Sequence, residues 1–190
     1  MNGFLIYLLA AGNGLRAGGA KAWLESEGRP LLARQLEFLL HRFPAASVAV
    51  SIQAAWLDRC KELQPQVRWV TVDPDASPLA SLQALLKAMP MKAWGFHYHV
   101  DMPVWEDELF YLLTSFLPKD TDRPHEAIVP THGGRGGHPV LLSPLLSGPL
   151  AALDGKTGRL DEFLHDRRVH RVEVPYSCVV ENWNGGPPQA

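Results

Sequence analysis

Phe4-Leu5-Ile6-Tyr7-Leu8-Leu9-Ala10-Ala11-Gly12-Asn13-Gly14-Leu15-Arg16-Ala17-Gly18-Gly19-Ala20-Lys21 is the stretch that decides the fold class. Residues 4–9 form a short continuous apolar run, which predicts a strand buried on both faces and therefore central in its sheet. Gly12 and Gly14 halt the run. Beyond them Pro30 opens a stretch with Leu31, Leu32, Leu36, Leu39 and Leu40 on one side and Pro44 soon after it, which predicts a helix over 30–42. The unit is strand, glycine-rich loop, helix.

The same alternation continues along the chain. Strands are predicted at 47–52, 69–72, 93–100, 127–131, 140–143 and 169–174, and helices at 54–63, 79–89, 106–116, 145–153 and 160–166. Alternating strands and helices imply an α/β fold with a mostly parallel sheet and helices on both faces. In such sheets ligands bind beyond the carboxyl ends of the strands, so the loops after Ala10, Ile52, Val72, Val100 and Thr131 are the places to look for chemistry.

Composition narrows the function classes. With 190 residues the chain has room for one domain, 1–190, in which the Gly- and Pro-rich tail 185–190 is expected to be loose. The 46% hydrophobic and 20% charged shares exclude a disordered chain. Eighteen Lys and Arg against 20 Asp and Glu lack the basic excess of a dedicated nucleic-acid binder. Cys60 and Cys178 are too few for a disulfide scaffold and lack the spacing of a zinc motif, which favours a reducing compartment. The longest early apolar run, 4–11, falls short of the ~18–20 residues of a membrane span, and no Lys or Arg precedes it. No signal peptide or membrane anchor is expected, and cytoplasmic localisation follows.

By composition the loop after the first strand is a phosphate cradle. Glycines let backbone N–H groups approach an anion, and Arg16 and Lys21 supply positive charge for triphosphate oxygens. Three other readings compete. Gly12-x-Gly14-x-x-Ala17 satisfies a dinucleotide fingerprint in letters, but the loop continues through Gly18-Gly19 instead of opening a helix. A P-loop requires Gly-Lys followed by Ser or Thr, whereas Ala20-Lys21-Ala22 stands here. A glycine turn with solvated Arg and Lys is the structural alternative.

From Leu9 to Lys21 the sequence resembles the nucleotidyltransferases of molybdenum cofactor biosynthesis, whose first strand runs into Leu-Ala-(Ala/Gly)-Gly-x-(Gly/Ser)-x-Arg-x-Gly-x-x-Lys. Every specified position matches, and Leu24, Gly28, Pro30, Leu31 and Leu32 resemble the segment that follows. The resemblance implies a Rossmann-like nucleotidyltransferase fold. It also implies nucleotide contacts at Leu9, Ala10, Ala11, Gly12, Gly14, Arg16 and Lys21. Asp101-Met102-Pro103 is similar to the family's Asp-(Met/Gln)-Pro element, whose aspartate holds Mg²⁺. A carboxylate at a strand's end facing a phosphate loop also suits a hard cation, while an aspartate there can equally cap the next helix.

Three further segments extend the resemblance toward Pro187. Ser77-Pro78-Leu79-Ala80-Ser81 is similar to the Gly-Pro-Leu-Ala-(Gly/Ser) turn of the guanylyltransferase branch, which implies nucleotide contacts at Pro78, Leu79, Ala80 and Ser81, with Ser77 replacing glycine; a plain helix start is the alternative. Gly136-Gly137-His138-Pro139-Val140-Leu141 resembles the Gly-His-Pro-Val-Leu segment of the cytidylyltransferase branch and implies acceptor contacts at Gly136, Gly137 and His138. Asn182-Trp183-Asn184-Gly185-Gly186-Pro187 falls where the family shows Asn-x-Asn-Thr-Pro or Asp-x-Asp-Thr-Pro, which implies acceptor contacts at Asn182 and Asn184 and a second metal-side ligand among Glu181, Asn182 and Asn184; a plain C-terminal turn is the alternative.

His97-x-His99-x-Asp101 is also the opening ligand pattern of metallo-β-lactamase-like hydrolases. Met102 stands where that family has histidine, so packed or hydrogen-bonded histidines are expected. The reaction implied is attack by a phosphate monoester, of molybdopterin type, on the α-phosphorus of CTP or GTP with release of pyrophosphate. Arg16, Lys21 and Asp101 would be catalytic, with Mg²⁺ at Asp101. The other readings are a nucleotide-binding module without turnover, motivated by Ser77 and the altered segment 182–187, and a sugar-phosphate or isoprenoid-pathway nucleotidyltransferase.

Overall fold

A central apolar strand needs neighbours on both edges, and the first run has them. In the computed structural model, which describes residues 1–15, 18–118, 124–184 and 186, β1 (Leu5–Leu9) lies between β4 (Val48–Gln53) and β6 (Gly95–His99), parallel to both. Beyond β4 comes β5 (Arg68–Val72), again parallel. Beyond β6 come β9 (Val140–Leu142), β7 (Ala127–His132) and β10 (Val169–Glu173), so the order is β10-β7-β9-β6-β1-β4-β5. The register sets Leu9 beside Ser51 on one edge and His99 on the other.

Side chains alternate across this sheet and divide the core in two. Ile6, Leu8, Phe96 and Tyr98 pack under α1 (Leu31–Leu40), α2 (Leu57–Leu63) and α4 (Asp107–Ser115). Tyr7, Leu9 and Ala49 pack under α3 (Pro78–Ala88), α5 (Ser147–Ala152) and α6 (Leu160–His165). The α/β class with helices on both faces therefore holds. No helix among the described residues is long and apolar enough to cross a membrane.

The seven strands in this order are parallel except at β9 (Val140–Leu142), which runs antiparallel to β6 and to β7. The cause is chain length. β7 turns back into β8 (Arg135–Gly136) through Gly133 and Gly134, both at positive φ, and β9 follows after three residues. A parallel neighbour would need a crossover of about a dozen residues or more. Two features lie outside the sequence reading. A short hairpin, β2 (Glu25–Ser26) with β3 (Arg29–Pro30), turns through Glu27 and Gly28, so α1 begins at Leu31 and not at Pro30. The predicted helix at 54–63 is a 3-10 turn over Ala54–Trp56 followed by α2.

Candidate active site

The loops that leave β1, β4, β5 and β6 meet at the carboxyl edge of the sheet. Ala10 leaves β1 with its N–H donating to the Ser51 carbonyl at 3.1 Å, and Val100 leaves β6 donating to the Leu9 carbonyl at 2.9 Å. Gln53 Nε2, at the end of β4, donates to the Ala11 carbonyl at 2.9 Å and to Asn13 Oδ1 at 3.1 Å. Asn13 Nδ2 in turn reaches Asp75 Oδ1 at 2.8 Å. These bonds hold both walls of the glycine loop.

Inside the loop, Lys21 N–H donates to the Gly12 carbonyl at 3.2 Å and Gly19 N–H to the Gly14 carbonyl at 3.3 Å. The lysine stem lies along the loop's inner surface. A methyl group at Gly12 would stand 3.7 Å from Lys21 Cδ, an ordinary contact. At Gly14, with φ of +59°, it would stand 3.0 Å from the Gly19 carbonyl carbon and closer still to its oxygen. Gly14 is the position where the loop admits no side chain.

Lys21 then reaches across the site. Its ammonium pairs with the Asp101 carboxylate and donates to Asn184 Oδ1 at 2.8 Å. Asp101 is 1% exposed, whereas the Lys21 side chain keeps 20%, so the lysine is the more accessible partner of the pair. The turn that carries Asp101 is held from both sides. Gln35, fully buried on α1, donates through Nε2 to the Met102 carbonyl at 2.5 Å and accepts from Trp105 Nε1 at 3.1 Å. Trp183 N–H donates to the Asp101 carbonyl at 3.0 Å, which docks the C-terminal segment on the same turn.

The residues named from the sequence divide accordingly. Lys21, Asp101 and Asn184 come together; Asn182 and Glu181 are exposed. Arg16 lies outside the described residues, as do Gly185 and 187–190. Leu9, Ala10 and Ala11 are buried, which leaves their backbone to face the loop. Ser77 caps α3, accepting from the Ala80 N–H at 3.0 Å and donating to the Gly155 carbonyl. Leu79 and Ser81 are buried behind it, so Pro78 and Ala80 carry the accessible surface of that turn.

Gly136 is exposed in β8, whereas Gly137 is wedged against the turn Ser177–Val180: an added methyl would stand 2.7 Å from the Val179 carbonyl carbon. The glycine run is thus explained by a two-residue hairpin turn and one close backbone approach. His138 N–H donates to the Val179 carbonyl at 2.8 Å. Its ring stands 5.5 Å from that of His99 and 5.9 Å from that of His97. Burial pushes the His97 and His99 rings below the ordinary histidine value and the His138 ring to about 3. His97 is buried in the sheet with His99 and His138 half-buried beside it, and Met102 follows Asp101 where a dinuclear hydrolase would need histidine.

Gln35 was not found from the sequence, although a polar residue among Leu31, Leu32, Leu36 and Leu39 on an apolar helix face was a visible signal. The joining of His138 to His97 and His99 depends on the antiparallel register of β9, which no local pattern carries.

Comparison with known proteins gives one family and one fold. A family model for the MobA-like NTP transferase domain matches residues 6–172. Rv0371c from Mycobacterium tuberculosis H37Rv superposes with a TM-score of 0.76 at 22% identity, over 95% of this chain and 95% of that one. Its complex with manganese gives 0.72 at 20% identity, over 96% and 95%. Molybdopterin-guanine dinucleotide biosynthesis protein A from Archaeoglobus fulgidus gives 0.63 at 16% identity, over 88% and 82%. No curated protein matches the chain in sequence.

Proposed function

Because the chain belongs to the MobA-like NTP transferase domain family, we propose that it transfers CMP or GMP from CTP or GTP to the phosphate of a molybdopterin-type acceptor, releasing pyrophosphate. The observation that carries this reading is the Lys21 ammonium held between the Asp101 carboxylate and the Asn184 amide oxygen at the mouth of the glycine loop. A partly buried cation beside a backbone cradle suits the β- and γ-phosphates of a nucleotide.

The same two oxygens fit a divalent metal. A carboxylate and an amide oxygen that converge on one positive charge are hard donors of the kind Mg²⁺ takes, and here the ammonium stands in for the ion. Asp101 and Asn184 would hold the ion, which when bound supplies charge neutralisation along the triphosphate.

The chain's own residues do the rest. Lys21 exchanges its protein partners for phosphate oxygens as the triphosphate enters, and Arg16, in the same loop, adds a second positive charge. The acceptor phosphate, with a second pKa near ~6, is mostly dianionic at neutral pH and attacks the α-phosphorus without a strong base. The new P–O bond forms as the α–β bridge breaks, and the electron pair leaves with pyrophosphate. Positioning and charge neutralisation supply the catalysis.

The reading is tested by thermal denaturation with each of the four nucleoside triphosphates, with and without Mg²⁺. Ala10-Ala11 and Gly137-His138-Pro139 lean toward cytidine and Ser77–Ser81 and Asn182–Asn184 toward guanosine; on the first pair, CTP with Mg²⁺ is expected to raise Tm most. Saturation at ~100 times Kd adds ~2.7 kcal/mol. A larger shift with GTP reverses the base assignment, and no shift with any nucleotide overturns the site.

A further inference from the structure

Beside the carboxylate pocket, the fold gathers three imidazoles that the transfer reaction does not use as a group. His97 and His99 alternate on one face of β6, and the antiparallel register that pairs His97 with Val140 carries His138 up beside His99. One ring nitrogen from each of the three lies within 4.8 Å of the others. Ring centroids are 5.5–5.9 Å apart, and all three pairs meet edge to face.

A second observation comes from His97 itself. It is 2% exposed, and its Nδ1 is buried without a hydrogen-bond partner. A buried polar atom of this kind is normally satisfied, and a metal ion is one partner that an imidazole nitrogen lone pair takes. His99 and His138 are half-buried, which leaves the cluster an approach from solvent.

We propose that His97, His99 and His138 form a binding site for a transition-metal ion of the Zn²⁺ class, adjoining the oxygen pocket at Asp101 but built from a different donor set. Imidazole nitrogen suits such borderline ions and not Mg²⁺, which takes oxygen. Tetrahedral Zn–N bonds of 2.0–2.1 Å set nitrogens about 3.3 Å apart, so small rotations of the three rings close the present spacing. Three histidines leave a fourth position for water or a ligand. An ion there ties residues 137–139 to β6 and so fixes the segment read as acceptor-binding.

The test is a Co²⁺ titration of the tag-free full chain, followed by visible absorption and native mass spectrometry. One equivalent of Co²⁺ is expected to bind with a d–d band that Zn²⁺ abolishes and excess Mg²⁺ does not. His97→Gln and His138→Gln are each expected to lose the band, and Asp101→Asn to keep it. His170→Gln, which breaks the separate His125–His170 pair (ring centroids 4.8 Å apart), is expected to keep it too. Absence of the band in the native chain overturns the proposal, as does its survival in a folded His97→Gln or His138→Gln chain or its loss in His170→Gln or Asp101→Asn. Where His97→Gln does not fold, the half-buried His138 variant decides alone.

Discussion

The Lys21 ammonium, in the loop after β1, is paired with the Asp101 carboxylate at the end of β6, 80 residues further along the chain. The pair brings the loop cation and the strand-end carboxylate to one point, where the proposed reaction needs phosphate binding and cation holding. Asn184, 163 residues from Lys21, completes it.

Removing the lysine therefore affects the protein as well as its ligand. In Lys21→Met the carboxylate of Asp101 stays buried with no ammonium to pair with. The expected loss is about 1.5–3 kcal/mol, the scale of a charged hydrogen bond. Lys21→Met/Asp101→Asn removes the buried charge as well and is expected to recover part of that loss. Urea denaturation of the three proteins reads this directly; equal stability of single and double variants would dissolve the coupling.

The two glycines of the loop are not equivalent. Gly14→Ala forces a methyl group into the Gly19 carbonyl at a positive φ, and is expected to lower Tm and weaken triphosphate binding together. Gly12→Ala makes an ordinary contact with the Lys21 stem and is expected to leave Tm near the native value. Calorimetry on both settles the contrast, and an unchanged Gly14→Ala protein would show that the loop has another conformation.

Glu173 fastens the β7–β8 hairpin that precedes His138. It accepts from Thr131 Oγ1 at 2.6 Å and from the Gly133 N–H at 2.8 Å, and these bonds hold its carboxyl below the ordinary value near ~4.3. Because the folded state favours the charged form, its contribution is complete above the ordinary value and fades as pH falls through the lowered one. NMR titration of the carboxyl is expected to show the lowered midpoint, and Thr131→Val is expected to move it upward. A midpoint that does not respond to the variant would remove Thr131 as its cause.

Much of the fold could be read locally. The run at 4–9 is apolar on both faces because both faces of β1 are covered, and the helices over Leu31–Leu40 and Pro78–Ala88 show their apolar stripes plainly. Asp101 and Lys21 were legible as strand-end carboxylate and loop cation. The choice of Asn184 over Asn182 and Glu181 was not, because it depends on how Trp183 docks on the Asp101 turn. Nor was the antiparallel β9, whose direction follows from a three-residue connection and not from the composition of Val140–Leu142. Gly137 read as a ligand-facing glycine in sequence and is a packing glycine against Val179, a contact between segments some 40 residues apart.

Nucleotidyl transfer at the proposed Lys21, Asp101 and Asn184 cluster is tested most directly by pyrophosphate release from CTP or GTP with a molybdopterin-type acceptor across a Mg²⁺ titration, in the native chain and in Asp101→Asn. Metal- and acceptor-dependent release is expected of the native protein. A large fall is expected in Asp101→Asn, with a Tm without metal and nucleotide close to native. Release by Asp101→Asn at the native rate and with the native Mg²⁺ dependence would contradict the proposal.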